Sequence, residues 1–510
     1  MMEYHDKRFL LGLDIGSSQS KGVLTDVHGA ILASAAVDHD TREVRPGFYE
    51  HDPERVWLHD CRELIAALKS RARIAAEEIA AVCVSAIGPC VLPVGAAGEP
   101  LCNAILYGID TRAGEEIREL NEQYGEETFL RRCGNSLSTQ AAGPKIAWIR
   151  KNRREVFDKA RWFMTATTYV VFRLTGEVFM DHYTACAGYT PLYDYAHMCW
   201  DAQMCEAIGC QGRLPELRWT AEAPATVSAR AAAEFGLAEG TPVCVGTCDA
   251  AAEAVSAGVV DCGQTMLMLG STAFLISVLN EPVTDRRLWA APYLFPGTYC
   301  LLGGMGSAGS LTSWFLRELS KQTAAEAEAS KINPYALLAR KAEQIAPGCD
   351  KLLALPYFCG ERTPLNDPKA RGVFFGLTLS HTEGHLYRAL LEGVAFGIRD
   401  NLEAMRESGC RIRSCCTVGG GAQNALWTQI ISDVTGCRQT INEVTLGASY
   451  GDAFLAGLGC GLLDGPQAVR TWTRQRAEIL PNEDHRRTYQ RLFPVFKNLY
   501  HALQGLMQDF

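Results

Sequence analysis

At 510 residues, with 47% hydrophobic and 21% charged residues, the chain has the make-up of an ordinary globular protein and is long enough for two or three domains. Its net charge of -9 at pH 7, with no basic run anywhere, argues against nucleic acid as a partner, because polyanion binding leaves a basic footprint. The longest apolar stretch, MLMLGSTAFLISVL at 266–279, is shorter than the roughly 18 residues a spanning helix needs and is broken by Gly, Ser and Thr, so no membrane segment is expected.

The chain opens with MMEYHDKRFLL, charged where a secretory leader needs an apolar run, and a cytoplasmic protein is expected. The first patterned element is LLGLDIGSSQSKGVLTDVHGAIL, residues 10–32, in which a Gly-Ser-Ser turn joins two apolar runs and Asp14 closes the first. The spacing GxxxxGK[ST] is missing, so this is not a P-loop. Two readings stand. A tight turn with backbone N–H groups and hydroxyls pointing outward can hold phosphate oxygens while a carboxylate on the preceding strand holds Mg2+ through water, an arrangement that Asp14, Ser17, Ser18 and Lys21 fit. The other is a plain hairpin with a solvated Asp.

Next come an amphipathic helix at PERVWLHDCRELIAALKSRAR and a buried strand near 82–87, then another strand near 242–248. Such alternation predicts an α/β fold. The 20 cysteines are scattered without CxxC spacing in apolar settings such as AAVCVSAI, as expected of small core residues in a reducing compartment; with HExxH also absent, no metal site of that type is expected.

TPVCVGTCDAAAEAVSAGVV, residues 241–260, puts Asp249 past a buried strand and ahead of a small-residue helix. It reads either as a helix N-cap or as a general base at a strand end. MLMLGSTAFLISV then echoes the opening hairpin as strand, Gly-Ser-Thr turn, strand; the repeat marks two similar domains or a coincidence of common turns.

GGMGSAGSLTSWFLREL, residues 303–319, holds a literal GxGxxG from Gly304 to Gly309. A dinucleotide fold would follow its helix with a strand carrying an acid for the ribose, but residues 324–346 again read as helix, which counts against that reading and leaves a helix N-terminus near a nucleotide or simple tight packing. Further on, CTVGGGAQNALWTQIISDVTG, residues 416–436, runs strand, triple Gly, helix; its glycines permit a backbone to lie flat on a purine or form a flexible turn.

Together with PYFCGERTPLNDPKARGVFFGLTLSHTEGHLYRALLEGVAFGIRDNL, residues 356–402, these pieces resemble the FGGY family of carbohydrate kinases, xylulokinase-like in overall pattern. The family's C-terminal signature is met at Gly372, Phe374, Gly376, Leu377, His385, Leu386, Ala389 and Glu392, with Leu390 a mild departure. GPKIAWIRKN resembles half of its other signature, while Gln140 and Ala142 miss the positions before it. The resemblance spans residues 8 to about 460.

The resemblance implies two actin-like (ribonuclease H-like) domains around a nucleotide and sugar cleft, divided as 1–248 and 249–510, and ATP-dependent phosphorylation of a sugar or polyol hydroxyl. It casts Asp249 as catalytic base and Asp14 as the Mg2+ residue. Ser17, Ser18 and Lys21 would form the first phosphate loop, Ser271 the second, Gly309 and Ser313 further nucleotide contacts, and Gly420, Gly421 and Ala422 the adenosine wall. A homodimer is a family-level expectation.

For the sugar site it points to Asp110, Arg112 and Gln140, although an Asp-Arg pair on a turn more often belongs to a solvated surface. Departures cluster here. Ile87, Gly88, Pro89 and Cys90 replace the Gln-Met-His-Gly element of xylulokinases, Tyr107 replaces a Trp, Gln140 sits where glycerol kinases have Tyr, and Ala250 replaces the usual Asn or Gln. Xylulose is the default substrate, with ribulose, erythritol, glycerol or gluconate as alternatives. A non-catalytic actin-fold sensor and an NAD-dependent dehydrogenase resting on residues 304–309 are the rivals from other classes.

Overall fold

The computed structural model describes residues 8–509, and the charged residues 1–7 behind the cytoplasmic expectation lie outside it. The described residues form two compact units: residues 8–260 with 279–300 and 446–473, and residues 261–278 with 301–445 and 474–509. Among the described residues no helix is long and apolar enough to cross a membrane.

The first unit is built on β1 (Phe9–Ile15), β2 (Gln19–Asp26), β3 (Ile31–Asp38), β4 (Ile79–Ala86), β5 (Pro242–Val243) and β6 (Thr247–Cys248). β1, β2 and β3 form an antiparallel meander, and β4 lies parallel to β1 on its other side, with β5 and β6 both parallel to β4. Buried on both faces, β1 and β4 read as near-continuous apolar runs broken only by Asp14 and Ser85 near their carboxyl ends, as parallel strands covered by helices should. The strand expected over 242–248 is two short pieces. Gly246 separates them with φ of 76°, and a Cβ there would stand 2.1 Å from the Val84 carbonyl.

The second unit repeats the plan. Its strands are β7 (Gln264–Leu269), β8 (Ala273–Leu279), β9 (Tyr299–Met305), β10 (Ser414–Val418), β11 (Gln439–Asn442) and β12 (Gln475–Ile479), in the order β9-β8-β7-β10-β11-β12. β7 is antiparallel to β8 and parallel to β10, which is parallel to β11. The two hairpins that echo each other in sequence therefore occupy the same place in two equivalent sheets, as the actin-like reading requires.

In the first unit the helix Ala448–Gly459 packs directly on β1 and on the helix Asp249–Ser256. Glycine permits the approach: a Cβ on Gly12 would lie 1.9 Å from the Ser449 carbonyl, and one on Gly451 1.9 Å from the Ala252 carbonyl. This close packing seats Asp14, Asp249 and Asp452 on elements with little freedom to shift.

Candidate active site

Strand register places the first group of candidates. Asp14 stands opposite Lys21 on β2 and Ser85 on β4, and Ser85 stands opposite Thr247 on β6. Lys21, Asp14, Ser85 and Thr247 thus form one row near the carboxyl ends of the parallel strands, where α/β sheets place their ligands. Asp14 is buried and its Oδ1 has no hydrogen-bond partner. Burial raises its pKa well above the usual carboxylate range, the charges of Asp249 and Glu253 add to the rise, and Lys21 and Ser85 oppose it. Below it, Asp452 accepts the Ser85 hydroxyl proton at 2.6 Å, and burial keeps this second carboxyl well above its ordinary value too.

Asp249 follows β6 directly. Cys248 takes the N-cap position and Asp249 is the first helical residue, so the N-cap reading fails: its Oδ1 accepts only the neighbouring Ala250 N–H at 2.7 Å rather than one deeper in the turn. Burial lifts its pKa to about 6. Thr247, just before it, is pinned from both sides, its hydroxyl donating to Asp181 Oδ2 at 2.7 Å and its carbonyl accepting from Thr167 at 2.7 Å. Glu253 lies one turn further along the same helix face, raised to about 7 by burial first and by Asp249 second.

Among the described residues no group of three or more His, Cys, Asp or Glu side chains forms a metal cage. Mg2+ does not need one, since it binds through one or two carboxylates, waters and substrate phosphates, and the orphaned buried oxygen of Asp14 fits that mode.

The candidate sugar residues meet in the same unit. Asp110 and Arg112 are not on a solvated surface: both side chains are fully buried. Arg112 Nε and Nη2 clasp Asp110 at 2.9 and 2.7 Å, Nη1 reaches Glu50 at 3.0 Å, and Asp110 also accepts the Tyr49 N–H. Phe48 lies beneath the guanidinium, 4.4 Å from ring centre to carbon. Their mutual saturation suits them to hold the 107–112 turn. Beside it, the Tyr107 ring covers Gly88 and the Gln140 side chain covers Gly108, with atoms 3.4 and 3.6 Å from where a Cβ would stand. Buried Lys145 ties the two segments together, donating to the Leu106 and Thr139 carbonyls at 2.7 and 2.6 Å.

The second unit gathers its candidates around the β7–β8 turn. The Gly309 N–H donates to the Gly270 carbonyl at 2.9 Å, and Ala308 and Ser310 N–H both donate to the Ser271 carbonyl. The helix Gly309–Leu319 therefore begins on top of the Gly-Ser-Thr turn, with Ser313 one turn along, 3.1 Å from the Tyr335 hydroxyl. Helices 321–330 and 334–343 follow with no strand between, which leaves GxGxxG without its dinucleotide partner strand. Gly421 packs on Leu269 at the end of β7, Ala422 is buried, and a Cβ on Gly420 would meet only open space.

The N-terminal domain model of the FGGY family of carbohydrate kinases matches residues 9–256, and its C-terminal domain model matches residues 265–460. The chain belongs to this family. The kinase is 28% identical to a xylulose kinase of Bacillus subtilis over 499 residues, 97% of each chain, and 26% identical to a gluconokinase of the same organism over 505 residues, 98% of this chain and 96% of the relative. Its structure superposes on a xylulose kinase from Rhodospirillum rubrum with a TM-score of 0.91 and 31% identity, covering 98% of this kinase and 100% of that one. It is an ATP-dependent carbohydrate kinase with the actin-like fold.

Two carboxylates of the kinase escape a motif reading. Glu253 had a signal in the sequence, four residues after Asp249 on a helix. Asp452 had none, because it reaches the Asp14 row only through a packing contact some 370 residues distant from Ser85.

Proposed function

We propose that the kinase transfers the γ-phosphoryl group of ATP to a hydroxyl of a pentulose such as xylulose, with Asp249 as general base. The observation that carries this reading is the Asp249 carboxylate: at a strand end, partly buried, free of any cap role and poised to accept a proton near pH 6. Asp249 takes the proton of the attacking hydroxyl, the new bond forms between that oxygen and the γ-phosphorus, and the bridging bond breaks with its electrons leaving on ADP. Ser17, Ser18, Lys21, Ser271, Gly309, Ser313, Gly420, Gly421 and Ala422 are the residues we assign to ATP. Mg2+, held at Asp14, would offset charge on the phosphates.

A neutral sugar is favoured over a sugar acid. The cation among the residues assigned to the sugar, the Arg112 guanidinium, is fully buried and engaged with Asp110 and Glu50, which leaves it no free face for a sugar carboxylate. Gln140 is the neutral side chain we assign to a sugar hydroxyl. All 20 cysteines are free thiols, in keeping with a reducing cytoplasm.

The test is ADP release from Mg-ATP, followed through NADH loss, across D- and L-xylulose, D- and L-ribulose, erythritol, glycerol and gluconate, with Asp249→Ala alongside. One preferred pentulose, lost in the variant, is the expected result. Preference for gluconate would displace the neutral-sugar reading, and full activity of the variant would remove Asp249 as base.

A further inference from the structure

The turn between β1 and β2 is held by a network of residues outside those assigned to the reacting groups. Three successive carbonyls are tied down by residues 39–41. Gly16 O lies 3.1 Å from His39 Nε2, Ser17 O accepts the Thr41 hydroxyl at 2.6 Å, and Ser18 O accepts the His39 backbone N–H at 3.0 Å. In a trans peptide the C=O and N–H point in opposite directions. Fixing these three oxygens on one side therefore sends the N–H groups of Ser17, Ser18 and Gln19 to the other.

Proton bookkeeping assigns the ring states. Trp57 Nε1 can only donate, so His51 Nδ1, 3.1 Å away, is its acceptor and His51 carries its proton on Nε2. That proton goes to Thr41 Oγ at 3.1 Å, leaving the Thr41 hydroxyl to donate to Ser17. His51 is thus neutral. His39 faces two pure acceptors, the Asp60 carboxylate at 2.7 Å from Nδ1 and the Gly16 carbonyl from Nε2, so both of its nitrogens need protons.

We propose that His39 is a positioning residue for the phosphate turn, a buried imidazolium that donates one ring N–H to Asp60 and the other to the Gly16 carbonyl. This role rests on the reading of residues 16–19 as a phosphate loop. Around His39 stand Asp60 from the helix His59–Ala72, His51 from the strand Phe48–His51 at 5.3 Å between ring centres, and His59 beyond Asp60. Asp60 is further anchored by the Ser20 hydroxyl at 2.6 Å. Burial opposes charge on His39, but Asp60 and the Gly16 and Ser17 carbonyls outweigh it and hold the ring above its usual pKa. The positive charge lies on the carbonyl side of the turn, opposite the N–H groups assigned to phosphate, where it adds to their field.

The experiment uses the full-length enzyme, with nitrogen NMR of labelled histidine rings and steady-state kinetics. At about pH 7.5, His39 is expected to show both ring nitrogens protonated and His51 only one. His39→Phe should raise KM for ATP about tenfold while KM for the sugar stays within about twofold, and His39→Gln, which keeps a donor, should fall between. A neutral His39 at that pH, or an ATP KM unchanged in His39→Phe, overturns the proposal while leaving the kinase reading intact. No ATP consumption by the wild-type enzyme with any carbohydrate would instead overturn the phosphate-loop reading, and this role with it.

Discussion

Asp249 and Glu253 stand one turn apart on one face of a helix, and their carboxyls titrate as neighbours, near 6 and near 7. Burial is the larger cause for both, and the charge on Asp249 lifts Glu253 further.

Replacing Asp249 by Asn should lower kcat by about 100- to 10,000-fold with little change in KM for ATP. The same change should raise thermal stability at neutral pH. A carboxyl whose folded pKa exceeds its unfolded value binds more protons in the native state, so its contribution fades as pH rises from about 4 through about 6. Melting curves of both proteins across that window should converge on the acid side; a variant that is less stable at pH 7 would contradict the burial cost.

Glu253→Gln should remove the titration step near 7 and leave the acid limb of kcat/KM near 6, because that limb belongs to the proposed base Asp249, whose own rise comes from burial. In Asp249→Asn the Glu253 pKa should fall below 7. Carbon NMR of labelled carboxyls reads both.

Arg112→Met should destabilise the fold by about 3–5 kcal/mol, since it strands the buried charges of Asp110 and Glu50. A urea denaturation series measures this. Gln140→Leu should leave stability unchanged within about 0.5 kcal/mol and raise KM for the sugar alone. Equal effects of both variants on stability would erase the distinction drawn between lock and contact.

Gly309→Ala should impair ATP use. The added Cβ would stand 2.5 Å from the Gly270 carbonyl, so the helix must retreat from the Gly-Ser-Thr turn. KM for ATP is expected to rise about tenfold or more; an unchanged KM would place the nucleotide elsewhere.

Much of this protein was written locally. Period and turn chemistry alone marked the two hairpins, while the recurrence of the strand, Gly-Ser, strand pattern at 264–279 left two similar domains or a coincidence open until the sheet pairing placed both hairpins alike. Asp14 and Asp249 were visible because each ends an apolar run just before a turn or helix. The helices after Gly309 likewise argued against a dinucleotide fold from composition alone. Tertiary structure decided what local pattern cannot carry. A dipeptide spacing such as Asp110 and Arg112 reads the same buried or exposed, and only Glu50, Tyr49 and Phe48 make it an internal lock. Asp452 enters the Asp14 row because residues 446–473 return to the first unit, and long-range packing of that kind leaves no periodic trace. The charge on His39 is of the same sort: it follows from two acceptors, Asp60 and Gly16, that the chain brings together from opposite sides of the ring.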